Sequence, residues 1–252
     1  MLYRTITFTL IAIFILGCLG PEEESFTHTI DYTVSLTFGD LVDGEIIKPT
    51  SKIDELENVT IIVPLPAIGS QPINIENLTI PEGWSVSIVE MPYGRMLKLE
   101  GRNVKTWKMS PIPVPVEIEK TPTVTPAMVK KAADYRFDLR LELDREIDTI
   151  NPLNGEFVLQ PKYEVKRVNC SEIDLKHYRY VECYSYTTTI FYAPHPPIDV
   201  GIYISLEGRN EWFHMGWTGN HFHDYVLAFL NRVGWNDVNG SLKTGMGVYL
   251  ST

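Results

Sequence analysis

Hydrophobic and polar residues alternate with period two along much of this chain, the pattern of a strand with one buried and one wetted face. Phe137, Leu139, Leu141 and Leu143 alternate with Arg136, Asp138, Arg140, Glu142 and Asp144. Ile198, Val200, Ile202, Ile204 and Leu206 alternate in the same way with Asp199, Gly201, Tyr203, Ser205 and Glu207. Runs rich in β-branched and aromatic residues predict further strands over 29–38, 59–65, 84–89, 96–99, 163–168 and 178–192. A last strand over 241–250 is loosened by Gly245 and Gly247. The fold class expected is mainly β, built of antiparallel β-sandwich units.

Two stretches depart from this picture. Phe222, Tyr225, Val226, Phe229, Leu230 and Val233 follow i, i+3, i+4, i+7 spacing, which predicts an amphipathic helix over 221–233. Thr218 or Asn220 is placed to cap its start and Gly234 its end. The second stretch is proline-rich, with Pro111, Pro113, Pro115, Pro122 and Pro126 close together. Proline at that density is excluded from a central strand. It predicts a linker over 120–133 between a first β-sandwich-like unit (28–119) and a second (134–252), a single sandwich with a proline-rich crossover being the alternative. Within 178–186, Tyr178, Tyr180, Glu182, Tyr184 and Tyr186 share one face of a strand, and Val181 and Cys183 the other. If the cysteine face is buried, a tyrosine ladder lies outside, packed across strands for stability or serving as a binding face.

The amino terminus has a charged start, an apolar run from Ile6 to Leu16 and a small residue at a cut site, the make-up of a secretory signal. Ile15-Leu16-Gly17-Cys18 resembles the lipobox of bacterial and archaeal lipoproteins. The resemblance covers only this segment. It implies a signal peptide (1–17), palmitate-type acyl chains on Cys18 and a short charged tether (18–27). An uncleaved membrane helix is the alternative, although a span of roughly 20 apolar residues is reached only by counting polar ones. The chain has three cysteines. With Cys18 carrying lipid, Cys170 and Cys183 remain as a pair in an oxidising location. Two free buried thiols, or a metal pair, are the other readings. Asn58, Asn77, Asn169 and Asn239 each begin an N-x-S/T sequon, consistent with N-glycosylation at a cell surface.

A net charge of −10 argues against nucleic acid as a partner, since phosphate binding depends on clustered Lys and Arg. A hydrophobic content of 44% is ample for a packed core. The densest chemistry lies at 210–224. His214, His221, His223 and Asp224 form a candidate metal set, with imidazole and carboxylate ligands suited to zinc or another transition metal. His221 and His223 point the same way on a strand but about 200° apart on a helix. Trp212, Trp217, Asn210, Glu211 and Asn220 form a candidate carbohydrate-binding set, in which indoles stack on sugar rings and polar side chains bond hydroxyls; Trp235 supplies a third indole. The competing reading is that the tryptophans fill the core.

No G-x-S-x-G, H-E-x-x-H, C-x-x-C or P-loop motif is present, so no catalytic residue and no cofactor is assigned. The expected role is a lipid-anchored extracytoplasmic module that binds an envelope protein or glycan, or serves the envelope structurally. The alternative is a metal- or carbohydrate-dependent envelope enzyme using the 210–224 segment.

Overall fold

The structure, a computed structural model, describes residues 26–50, 52–68, 71–111, 128–151, 153, 157–170, 178–213 and 217–247. The signal segment, Cys18, most of the tether and most of the proline-rich stretch lie outside the described residues. Seven strands precede that stretch: β1 (Phe26–Val42), β2 (Ile46–Lys48), β3 (Glu55–Ile68), β4 (Gln71–Pro72), β5 (Trp84–Met91), β6 (Gly94–Lys105) and β7 (Trp107–Pro111). Eight follow it: β8 (Met128–Ala132), β9 (Asp134–Leu143), β10 (Val158–Gln160), β11 (Tyr163–Val168), β12 (Tyr178–His195), β13 (Asp199–Phe213), β14 (Trp217–Leu230) and β15 (Gly234–Gly247).

Thirteen strands form one antiparallel sheet in the order β2-β1-β13-β14-β15-β12-β3-β6-β5, with β9 also on β1, β10 and β4 on β3, and β11 on β12. β7 and β8 make a separate two-stranded sheet. Strands from both sides of the proline-rich stretch are therefore hydrogen-bonded to each other. β1 lies between β9 and β13, and β3 pairs with β12.

The alternating residues explain the core. Ile30, Tyr32, Val34, Leu36 and Phe38 of β1 are fully buried, as are Val200, Ile202, Ile204 and Leu206 of β13. Phe137 and Leu139 of β9 join them, while Leu141 and Leu143 pack at the margin. The sheet coils so that strands distant in its order meet across this core. The Tyr32 hydroxyl donates to the Pro64 carbonyl of β3 at 2.8 Å. Trp84 of β5 lies 5.3 Å from both Tyr135 and Phe137 of β9. The Thr79 N–H donates to the Asp138 carbonyl at 2.8 Å, bringing the β9 edge onto the opposite end of the sheet.

Two expectations are corrected. Residues 217–230 form strand β14 rather than a helix, hydrogen-bonded to β13 on one side and β15 on the other. Phe222, Val226, Ala228 and Leu230 face the core, whereas Tyr225 and Phe229 lie on the opposite face. The helical spacing mixed residues from two faces, and pairing on both edges decided the outcome. Among the described residues there is no helix. The tyrosine ladder is not wholly outside either: Tyr186 is buried in the core and Tyr184 packs against it. Cys183 is buried on the other side and is disulfide-bonded to Cys170 with a Cα–Cα distance of 5.2 Å. β11 pairs along the edge of β12 here, with Val168 opposite Cys183.

Candidate functional site

Residues 210–213 end β13 and residues 217–224 begin β14, paired with each other, and their alternation separates the residues grouped in the sequence. His221 and His223 share the outward face of β14, while Asp224 points into the core and is fully buried. His214 lies outside the described residues. The metal set is thus not gathered on one face, and no group of three or more His, Cys, Asp or Glu suited to a metal occurs among the described residues. Burial pulls the His221 imidazole down to about 4, with His223 and Arg209 acting in the same direction and Glu207 opposing. It also lowers His223.

Asn210 is buried and holds structure together. Its Nδ2 donates to the Ile147 carbonyl at 2.7 Å, and its Oδ1 accepts from the Ile147 N–H at 2.8 Å. That reciprocal pair imitates one rung of a ladder, fastening the 144–151 loop to β13. Nδ2 also donates to Asn220 Oδ1 at 2.7 Å, which accepts from the Thr149 hydroxyl at 2.8 Å. Glu211 and Trp212 are half-buried, and Trp212 pairs in register with Phe26 and Thr218. The backbone of Trp217 pairs with Phe213. Asn58, Asn77, Asn169 and Asn239 are all exposed.

The outward face of β9, β1, β13 and β14 carries a polar groove of about 550 Å³. Its charges balance: Arg136, Arg140 and Arg209 face Asp31, Asp138 and Glu207. Arg209 donates to Glu207 at 2.7 Å and lies 3.8 Å from Asp31, while Arg136 donates to Asp138 at 2.8 Å. The cations are already engaged by carboxylates within the groove. Ser205 Oγ and His223 Nε2 are 3.0 Å apart, within reach of a nucleophile–base pair. Ser205 stands mid-strand between Thr33 and Tyr225, so its backbone N–H is committed to the ladder and does not serve an oxyanion. The bond orients the His223 ring, which stacks on Tyr225 at 4.8 Å.

A second groove, of about 430 Å³, lies where β3 and β12 diverge and the β10–β11 segment fills the fork. Tyr93, Leu153, Val158, Gln160, Tyr163 and Val165 are among its lining residues. Its two lining tyrosines begin a row of rings that continues beyond the groove: Tyr163 meets Tyr93 at 6.2 Å, Tyr93 meets Trp235 at 5.5 Å, and Trp235 meets Phe191 at 5.3 Å. Three separate devices aim these rings. Tyr93 sits in the β5–β6 turn, closed by Gly94 at φ 115° and by the Arg95–Glu90 pair at 2.9 Å. Trp235 follows Gly234 at φ 107°, in a turn whose carbonyls accept from the Asn236 amide. Tyr163 follows Lys162, whose amine is held inside. Yet Tyr93 is 46% exposed, Trp235 38% and Tyr163 37%. Burial, with Tyr93 and Asp237 nearby, pushes the Tyr163 hydroxyl up, so it stays a donor at neutral pH.

Comparison with known protein families, with curated proteins and with solved structures finds no match to this chain. Sequence reasoning placed Trp235 among sugar-stacking residues but missed Tyr93 and Tyr163. The only local signal was an aromatic beside a turn proline in Pro92-Tyr93-Gly94. Their meeting with Trp235 depends on sheet order.

Proposed function

We propose that this chain is an exported, lipid-anchored binding module that takes neutral carbohydrate in the aromatic groove. The observation that carries this reading is the Tyr163–Tyr93–Trp235 row of rings, which runs from the groove onto the adjoining surface and is held by two turns and a strand start yet left over one-third exposed. Aromatic faces stack on the C–H faces of sugars, while the Tyr hydroxyls and the indole N–H bond sugar hydroxyls. Pockets of this kind are mainly apolar with a few placed polar groups. The balanced charges of the other groove offer no comparable preference.

The location rests on the cysteines. The Cys170–Cys183 disulfide accounts for two of three and suits an oxidising compartment. Cys18 is the remainder and stands in the lipobox-like segment. On this reading residues 1–17 are removed, palmitate-type acyl chains are attached at Cys18, and the coiled sheet is a sandwich-like body held outside the membrane. The four exposed sequon asparagines are its N-glycan sites.

The test uses the detergent-solubilised full chain in affinity gel electrophoresis against soluble mannan, xylan and mixed-linkage β-glucan. Retardation by one of these, abolished in Trp235→Ala and Tyr93→Ala with unchanged melting temperature, is the expected result. Equal mobility of the wild type in all three gels removes the carbohydrate reading. For the anchor, Cys18→Ser is expected to move the protein from the membrane pellet to the soluble fraction; continued sedimentation of acyl-free protein refutes it.

A further inference from the structure

Lys162 and Asp224 meet inside the sheet, their side chains 9% and 1% exposed. Asp224 occupies an inward position of β14 between Phe222 and Val226, flanked in register by Leu206 of β13 and Leu242 of β15, all buried. Lys162 reaches it from the β10–β11 fork. Its Nζ pairs with Asp224 Oδ2, donates to the Leu159 carbonyl at 2.8 Å and lies 4.3 Å from the centre of the Tyr186 ring. The Tyr186 hydroxyl donates to Asp224 Oδ1 at 2.6 Å, and the Leu159 N–H donates to Oδ2 at 3.3 Å.

As a plain ion pair this arrangement gains little. Desolvation costs several kcal/mol per ion, and a well-packed apolar pair of similar volume is often as stable. The same surroundings favour a neutral amine over ammonium at Lys162. Burial accordingly lowers Lys162, against the opposing pull of Asp224.

We propose that Lys162 and Asp224 are joined by an intramolecular isopeptide bond. A proton passes from the ammonium to Oδ2, leaving a neutral amine beside a carboxylic acid. The Nζ lone pair adds to Cγ, and the Tyr186 hydroxyl steadies the negative charge that develops on Oδ1, as an oxyanion donor does. Burial and the Asp224 charge push the Tyr186 hydroxyl well up, so it keeps its proton through this step. A second proton from Nζ then leaves with Oδ2, and the Cγ–Oδ2 bond breaks. Of three ammonium hydrogens, one stays on the amide nitrogen and two depart in one water. Charge and electrons balance without any co-reactant. Holding the partners together supplies an effective molarity on the order of 10⁵ M or more. The product fastens the short β10–β11 segment to a central strand and is untouched by thiol reductants.

The test is mass spectrometry of the full chain, denatured and with its disulfide reduced. The wild type is expected lighter by one water than Lys162→Arg after correction for the substitution. Its tryptic digest should lack cleavage after Lys162 and contain one branched peptide holding both residues. A wild type at full mass, with the Lys162 and Asp224 peptides running separately, overturns the proposal. Should Lys162→Arg fail to fold, the wild-type peptide map decides by itself.

Discussion

Replacing Asn210 with alanine tests whether this residue is structural, as its contacts indicate. The variant loses the two bonds to the Ile147 backbone, the bond to Asn220 and the contact of Oδ1 with His28 Nδ1 at 2.9 Å. An average bond is worth about 1 kcal/mol net, but a buried group left without a partner costs about 1–3 kcal/mol. The Ile147 N–H and carbonyl become two such groups, and relaxation of the 144–151 loop towards water recovers part of the loss. The expected destabilisation is about 3 kcal/mol. For a chain of this size that corresponds to a fall in Tm of roughly 6–12 °C. Urea titration followed by tryptophan fluorescence measures it on the solubilised chain. Glu211→Ala, one residue along on the other face, is the control and should stay within about 0.5 kcal/mol. Asn220→Ala combined with Asn210→Ala should fall short of the sum of the single losses, because the two amides share a bond. An Asn210→Ala loss below about 1 kcal/mol, or strict additivity with Asn220→Ala, refutes the reasoning.

Three further outcomes are expected. Cys183→Ser opens the loop to Cys170, which should cost about 3 kcal/mol on the chain-entropy account and lower the urea midpoint; an unchanged midpoint contradicts it. Gly208→Ala places a methyl 2.2 Å from the Phe222 ring, and the overpacking should cost about 1–3 kcal/mol by thermal melting. His221 is held neutral with a folded value of about 4 against about 6.5 unfolded. The unfolded chain therefore binds more protons between these values, and stability present above about pH 6.5 is lost as pH falls towards 4, by about 3 kcal/mol in all. Urea midpoints across this range should fall less steeply in His221→Gln; parallel curves refute the assignment.

The strands were legible where one face is apolar throughout. β9 and β13 followed directly from Phe137, Leu139 and from Val200 to Leu206, since period two leaves no competing geometry. β14 was misread because Asp224 interrupts its inward row and Tyr225 and Phe229 enrich its outward one. The reason for an aspartate there, Lys162 in the β10–β11 connection, is not visible locally. The aromatic row was hidden for the same cause. Tyr93, Tyr163 and Trp235 come from three separate turns or strand starts, and no local spacing links them. Cys170 with Cys183 was accessible by counting, which needs no geometry.

The position of β1 has a consequence for biosynthesis. Ile30 is paired with Gly208, so this early strand waits for a partner made much later. At common elongation rates the delay is on the order of ten seconds or more. Meanwhile the stretch from Ile30 to Thr37 is paired on one side only, with β9, and its other backbone edge is open to any extended peptide nearby. Chains cut short before residue 199 would keep that edge for good. Such fragments should clump rather than linger as small folded pieces, making completion of β13 the event that shields this edge of the nascent polypeptide.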